Sequence, residues 1–430
     1  MSDLFARHRA VIPSWVATNY SEPIEIVGGK GCHVTDSEGN SYLDFFAGIL
    51  TNMLGYDVAE VREAVERQIA TGIYHTSTLY LIRSQVELAE KIAKLSGIPD
   101  AKVFFTNSGS EANEAALAAA LSHRQANQVL AMRGSYHGRT FGTVAITGNA
   151  SWKASSNDPF GTHYLHGTDR ELAGYRNLGD EDFIAACVAD LRALLTAAVH
   201  PSDVGALIAE PIQGVGGFIT PPPEYFKIVF QAVKKYGGLF ISDEVQTGFG
   251  RTGKHWFGIE HWEVTPDIVT CAKGLGNGTP VAATITTTEL AASYCGPIIS
   301  TFGGNPVASV AARATIDVIE EEHLLDNAHT VGNYFRAKLE ALQRKHPLIG
   351  DVRGKGLMQA LELVRDRNTK EPAPGATAEL LERARENGLL VGKGGLYGNV
   401  VRLSPMLNIS KEDVDEAIRM LDKSFCEVRV

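Results

Sequence analysis

Two stretches of the chain carry side chains that could do covalent chemistry. In Asp267-Ile-Val-Thr-Cys-Ala-Lys273-Gly-Leu-Gly-Asn-Gly278 a β-type run, Ile268 to Ala272, ends in a lysine and then breaks into glycines. An amine at a strand tip, with backbone rather than side chains around it, can be held in a dry pocket that disfavours its ammonium. It then becomes a nucleophile for a carbonyl. Taken alone, Lys273 reads equally well as a surface lysine after an ordinary strand. Upstream, Ile241-Ser-Asp243-Glu-Val-Gln246-Thr-Gly-Phe-Gly-Arg-Thr-Gly253 follows another apolar run and offers a carboxylate where its strand ends.

A third stretch supplies an anion cradle. Lys102-Val-Phe-Phe-Thr-Asn-Ser108-Gly109-Ser110-Glu111 reads as a strand, a tight turn of small residues and a helix opening with Ser-x-x-Glu, a capping-box pattern. A helix N-terminus presents unpaired N–H groups and the positive end of its dipole, which suits a phosphate. Alone it is also a plain helix cap. A lysine and an aspartate at neighbouring strand ends, with a phosphate cradle, are what pyridoxal phosphate needs. The lysine forms a Schiff base, and the aspartate keeps the pyridine nitrogen protonated so that the ring can accept electrons.

Together these stretches resemble the class III (ornithine and ω-amino acid) aminotransferases, a branch of the fold-type-I pyridoxal-phosphate enzymes. The resemblance runs from about Tyr20 to about Arg419, with several motifs in the family's order. It implies that Lys273 and Asp243 are catalytic and that Gly109 and Ser110 hold the cofactor phosphate. In Arg133-Gly-Ser-Tyr136-His137-Gly138 the family's aromatic lies flat on the pyridine ring, with the histidine close by. Val245 is expected on the opposite ring face and Gln246 at the ring hydroxyl. Thr301, in Ser300-Thr301-Phe-Gly-Gly-Asn-Pro306, is expected to donate its hydroxyl to the phosphate of a neighbouring subunit, which implies a homodimer with a shared site, or dimers paired into tetramers.

Three further residues bear on the substrate. Arg402, in Val400-Val-Arg402-Leu-Ser-Pro, sits amid apolar residues, so it should have a carboxylate partner. Its planar fork suits bidentate binding. In the family that partner is the carboxylate of amino and keto acids; a structural ion pair is the alternative. Glu210, at the end of Val204 to Ala209, matches the family glutamate that pairs with this arginine and can be swung aside, or is a plain strand-end acid. Ile49 falls where ornithine-specific members carry a tyrosine, and an aliphatic residue there would leave the arginine free; it could equally be core. Glu244, on the other side of its strand by period 2, is expected to be a salt-bridge partner. The family's Gly-His-x-His-Pro is here Gly55-Tyr-Asp-Val-Ala, a local departure.

Phe45-Phe-Ala-Gly-Ile, Glu210-Pro-Ile-Gln-Gly-Val-Gly-Gly and Gly350-Asp-Val-Arg-Gly-Lys-Gly-Leu-Met are similar to the alanine–glyoxylate aminotransferase 2-like branch. That implies ω- or β-amino donors such as β-alanine or 4-aminobutyrate, or alanine, with pyruvate or glyoxylate as the accepting keto acid in a ping-pong reaction. The branch also contains phospho-lyases, which would want a second anion pocket, and no extra basic cluster is evident. A racemase or aminomutase fits less well. A cofactor-binding regulator would carry a DNA-reading domain, and a relic of the fold would have lost one of Lys273, Asp243, Tyr136 or Arg402.

The 430 residues suffice for more than one domain. A hydrophobic fraction of 44% and a formal charge of −10, without a basic block, describe a globular chain and argue against nucleic-acid binding. Five scattered cysteines, Cys32, Cys187, Cys271, Cys295 and Cys426, favour free thiols and a reducing compartment over disulfides or a metal site. No membrane-length apolar stretch and no signal-type start are evident, so a cytoplasmic location is expected.

The strand–helix alternation from about Val103 to Thr286 predicts an α/β protein: a three-layer αβα large domain around a mostly parallel sheet, plus a small α+β domain. Residues 1–60 read as an N-terminal segment of the small domain and active-site entrance. Residues 61–306 read as the cofactor-binding domain, and 307–430 as the C-terminal small domain with its linking helix. Helices are expected at Ala59 to Ala70, Arg83 to Leu95 and Glu224 to Tyr236, and one long helical region at Val307 to about Arg344.

Overall fold

The computed structural model describes residues 3–170, 174–197, 199–294 and 296–429. Cys295, and residues 171–173 of the loop-rich stretch after Asn149, lie outside them. Seven strands form the largest sheet, side by side in the order Ala101–Thr106, Ala282–Thr287, Ile268–Cys271, Leu239–Asp243, Val204–Ala209, Gln128–Met132, Thr162–Leu165. Only Ala282–Thr287 runs against its neighbours. The others are parallel, as expected from the alternation with helices.

The strands' composition explains why the sheet is covered on both sides. All six residues of Val204–Ala209 and all five of Leu239–Asp243 are buried, the mark of a sheet with helices on both faces. Alternate residues divide between two apolar clusters, as the period of 2 requires. Val129, Ala131, Ala206, Ile208 and Ile241 pack with Ala116, Leu117 and Ala120 of the helix Gly109–Arg124. Leu130, Met132, Leu207, Ala209 and Phe240 pack with Phe183 and Leu191 of Asp180–Ala197 and with Phe226 and Val229 of Tyr225–Lys235. The three-layer expectation is met.

Two four-stranded sheets complete the fold. One pairs Ile26–Lys30, His33–Asp36 and Ser41–Asp44 with Leu389–Leu390 from near the other end of the chain; the other is ordered Ile349–Lys355, Met358–Leu363, Val400–Leu403, Gly392–Gly394. A turn at residues 37–40 joins His33–Asp36 to Ser41–Asp44, where Asp36 Oδ1 accepts the backbone N–H groups of Glu38 and Asn40.

Two differences from the sequence reading have local causes. The helical region after Asn305 is two helices, Pro306–Glu321 and Leu324–Lys345, because His323 takes a left-handed φ of 54° and turns the chain between them. The N-terminal segment contains a helix, Asp3–Val11, that buries no residue and so left no apolar periodicity to read. Among the described residues no helix is long and apolar enough to cross a membrane, and Cys32, Cys187, Cys271 and Cys426 carry free thiols.

Candidate active site

Parallel strands deliver their C-terminal ends to one edge of the sheet, where open α/β sheets bind ligands. Asp243 ends its strand, Lys273 follows Ile268–Cys271, Glu210 follows Val204–Ala209, and Tyr136 and His137 follow Gln128–Met132. Asp243 stands in register with Thr270, three residues before the lysine. A cleft of about 310 Å³ opens there, lined by Gly109, Ser110, Tyr136, His137, Glu210, Asp243, Val245, Gln246 and Lys273, together with Thr51, Asn107, Asn113 and Arg139.

Lys273 has φ +44°, a left-handed conformation uncommon for a residue with a side chain and typical of strained functional positions. The next residue must be glycine: a Cβ on Gly274 would lie 2.5 Å from Met53 Cγ. Among the described residues nothing hydrogen-bonds the Lys273 amine. Burial pushes its pKa below the usual lysine range; Arg402 reinforces that, and Asp243 and Glu210 oppose it.

Asp243 is 3% exposed and densely held. Its Oδ2 accepts Asn113 Nδ2 at 2.8 Å and lies 2.8 Å from His137 Nδ1; its Oδ1 accepts the Val245 N–H at 3.1 Å. Asn113 is fixed in turn by donating to the His137 carbonyl (2.8 Å) and accepting the Thr270 hydroxyl (2.6 Å). It sits one turn into the helix Gly109–Arg124, whose N-cap Ser108 forms a complete capping box with Glu111. The sequence reading missed Asn113; its spacing of four from Gly109 was the available signal.

The cradle is tightly built. A Cβ on Gly109 would lie 2.9 Å from a Val245 methyl, and one on Gly138 2.3 Å from Ser110 Oγ. Ser110 Oγ accepts the Arg139 backbone N–H at 3.2 Å. The ring of Tyr136 meets that of Trp152 edge-on at 5.3 Å. Among the described residues Gln246 Oε1 and His137 Nε2 are buried without a hydrogen-bond partner. Buried polar atoms left unpaired are costly and mark where a ligand's polar groups fit.

Among the described residues Arg402 makes no ion pair with a carboxylate of the protein, which was the structural alternative to binding a substrate carboxylate. Arg402 Nε donates to the Lys393 carbonyl at 3.0 Å, and the guanidinium stacks on Phe46 (5.0 Å) and Phe218 (5.7 Å). Among the described residues its Nη1 is buried without a partner, and burial lowers its pKa to about 10. Glu210 is already committed elsewhere: Oε1 accepts the Tyr136 N–H (2.9 Å) and Oε2 the Gly214 N–H (2.8 Å). Burial pushes its carboxyl up to about 7. Glu244 is not a salt-bridge partner either. Its carboxylate takes the N–H groups of Gly258 (2.7 Å) and Ile259 (2.8 Å) and the hydroxyls of Ser242 and Thr247, so it caps the short helix Gly258–Trp262.

Two expected residues lie away from the cleft in a single chain. Ile49 is 47% exposed in a run of left-handed residues, Ala47 to Leu50, and Thr51 lines the cleft instead. Thr301 is exposed beside Phe302, itself 60% exposed.

The sequence matches the family profile "Aminotransferase class-III" over residues 16–425. It is 42% identical to the Arabidopsis thaliana protein named alanine–glyoxylate aminotransferase 2 homolog 2, mitochondrial, over 95% of this chain and 84% of that one. Its structure is similar to that of a Bacillus anthracis aminotransferase, with a TM-score of 0.91, 32% identity, and coverage of 99% of this chain and 98% of that one. It is also similar to an Arthrobacter phospholyase solved with phosphoethanolamine, with a TM-score of 0.90, 32% identity, and coverage of 99% and 100%.

Proposed function

The chain belongs to the class III aminotransferases, and from that membership we propose that it moves an amino group from an ω- or β-amino acid, such as β-alanine or 4-aminobutyrate, or from alanine, to pyruvate or glyoxylate. It is a pyridoxal-phosphate-dependent aminotransferase of fold type I. When bound, the cofactor supplies an electrophilic carbon for amines and a ring that accepts electrons. The residues present fit it: Lys273 to attach it, Asp243 for its ring nitrogen, Tyr136 and Val245 for its faces. The unpaired Gln246 Oε1 would take its hydroxyl, and the N–H groups at Gly109 and Ser110 its phosphate.

The chain's own groups then divide the work. Lys273 in its neutral form would move a proton from the donor's amino-bearing carbon to the cofactor carbon, and in the opposite sense in the other half-reaction. Asp243 is held in place by Asn113, His137 and the Val245 N–H. Arg402 offers a fork whose Nη1 has no partner among the described residues, while Glu210 is occupied by two backbone N–H groups. That buried Nη1, unclaimed among the described residues, is the observation that carries the substrate reading. Donor and acceptor both bear a carboxylate, so one fork serves both halves of a ping-pong exchange. A homodimer is part of the proposal: exposed Thr301 would act across an interface that also takes up Leu79, Leu81 and Ile299, all exposed in the single chain.

A phospho-lyase is the second reading. Arg139 lines the cleft beside the Tyr136 hydroxyl and makes no ion pair among the described residues, which would suit a substrate phosphate. Incubating the cofactor-loaded protein separately with β-alanine, 4-aminobutyrate, L-alanine and phosphoethanolamine, while following the cofactor's visible band, separates the two. A change reversed by pyruvate or glyoxylate supports amino transfer. Phosphate release from phosphoethanolamine without any keto acid moves the assignment to the lyase.

A further inference from the structure

We propose that His346, Asp422 and Cys426 form a zinc-binding site that clamps the ends of two helices. His346 caps the C-terminus of Leu324–Lys345, while Asp422 and Cys426 stand four apart in the last turns of Lys411–Glu427. That spacing sets the two side chains on one helix face. One nitrogen, one carboxylate oxygen and one sulfur lie within 4.8 Å of one another.

The geometry around them favours a bound cation. His346 is 9% exposed, and its ring is stacked on Phe425 with centroids 5.0 Å apart, so Nε2 has a fixed direction toward Asp422 Oδ1, 2.6 Å away. Lys345 holds the other carboxylate oxygen and so orients the group from behind, as outer partners of metal ligands do. Both helices bring their C-terminal ends, the negative poles of their dipoles, to this point. A mixed nitrogen, oxygen and sulfur set suits zinc rather than magnesium or calcium, and three protein ligands leave a fourth position for water. Zinc–ligand distances of about 2.0–2.3 Å require His346 Nε2 and Asp422 Oδ1 to part from their 2.6 Å contact to admit the ion and Cys426, which is exposed, to close in by a side-chain rotation. Binding sends the thiol proton to solvent and takes the neutral imidazole with its proton on Nδ1, leaving Nε2 to coordinate, and no electrons change hands. None of the three residues lines the Lys273 cleft. The sequence alone concealed the group because His346 stands 76 residues from Asp422.

The test uses the holoenzyme dialysed against a chelator, then equilibrated with zinc chloride and measured for bound metal. The expected result is one zinc per chain, bound at least tenfold more weakly by Cys426→Ser and equally well by Cys32→Ser. Cobalt(II) should give a thiolate charge-transfer band in the difference spectrum against Cys426→Ser, and zinc should raise the melting temperature of the parent but not of that variant. No retained zinc, or equal retention by Cys426→Ser, overturns the proposal and leaves His346–Asp422 as a simple ion pair.

Discussion

One amide hydrogen-bond donor group, Asn113 Nδ2, reaches both Asp243 Oδ2 and the His137 carbonyl, each at 2.8 Å. The helix that opens at the phosphate cradle therefore also positions the carboxylate meant for the cofactor ring, so cradle and carboxylate cannot move independently. Asn113→Ala should lower kcat on the order of 10²-fold, the usual cost of removing one preorganised donor. Asn113→Asp, which sets a second carboxylate against Asp243, should lower it further. Steady-state rates with β-alanine and pyruvate decide this; unchanged rates in both variants would make Asn113 a packing residue only.

Arg402 should discriminate by carboxylate. Losing one partner of a desolvated charge pair costs about 2–5 kcal/mol, so Arg402→Met should raise KM for amino acids by roughly 10²-fold or more. In the first half-reaction, followed without a keto acid, a primary amine that lacks a carboxylate should be converted about as well as before. Equal losses for both substrates would show that the arginine serves the fold and not the ligand.

The pH dependence of the first half-reaction should follow the Lys273 amine, which must be neutral to take a proton. Its neutral fraction grows as pH rises, and burial moves that rise below the ordinary lysine range. Arg402 pushes the lysine pKa down and Glu210 pushes it up. Arg402→Met should therefore shift the ascending limb to higher pH and Glu210→Gln to lower pH. Shifts in the same direction for both variants contradict this electrostatic arrangement.

Gly109 and Val245 are in steric contact, and the cradle depends on it. Gly109→Ala sets a methyl against the Val245 methyls, where the added carbon would lie at 2.9 Å. The variant should bind the cofactor at least tenfold more weakly, and Val245→Ala added to it should recover part of the loss. Equilibrium dialysis with pyridoxal phosphate measures both.

Glu244 links stability to pH. Burial raises its carboxyl to about 7 from an ordinary 4.5, against the pull of its four donors. Between those values the folded chain binds a proton that the unfolded chain has released. The contribution is thus full below about 4.5 and is lost as pH rises through about 7, with an upper limit on the order of 3 kcal/mol. Glu244→Gln should start less stable, because an amide donor faces a backbone N–H, but should lose less stability between pH 5 and 8 in urea unfolding. A pH slope equal to the parent's counts against the linkage.

Strand ends and small-residue turns made much of this site legible. Lys273, Asp243 and Glu210 follow apolar runs that fold as fully buried strands, and parallel strands bring such positions to one edge. Partners brought together by the fold were not legible. Asn113 reads as an ordinary helical residue until the strand carrying Asp243 is beside it. Glu244 carries no mark in the sequence that its donors are backbone N–H groups rather than a lysine. Arg402 was correctly expected among apolar residues, but that its fork is free depends on Glu210 accepting from Tyr136 and Gly214. The break at His323 was hidden because a left-handed histidine leaves no proline or glycine as a signal.

The sheet that joins Leu43 and Asp44 to Leu389 and Leu390 sets a timetable for synthesis. The N-terminal strands leave the ribosome about 350 residues before their partner, and at 5–20 residues per second they wait roughly 20–70 s for it. Through that interval the buried side of Ser41–Asp44, with Tyr42 and Leu43, has nothing from the C-terminal part to cover it. A nascent chain stalled anywhere before Leu389 should therefore be a client of chaperones that recognise exposed apolar strands. Release of the finished chain, rather than emergence of the cofactor-binding segments, is the point at which the Phe45–Leu54 loop beside Lys273 can settle into place.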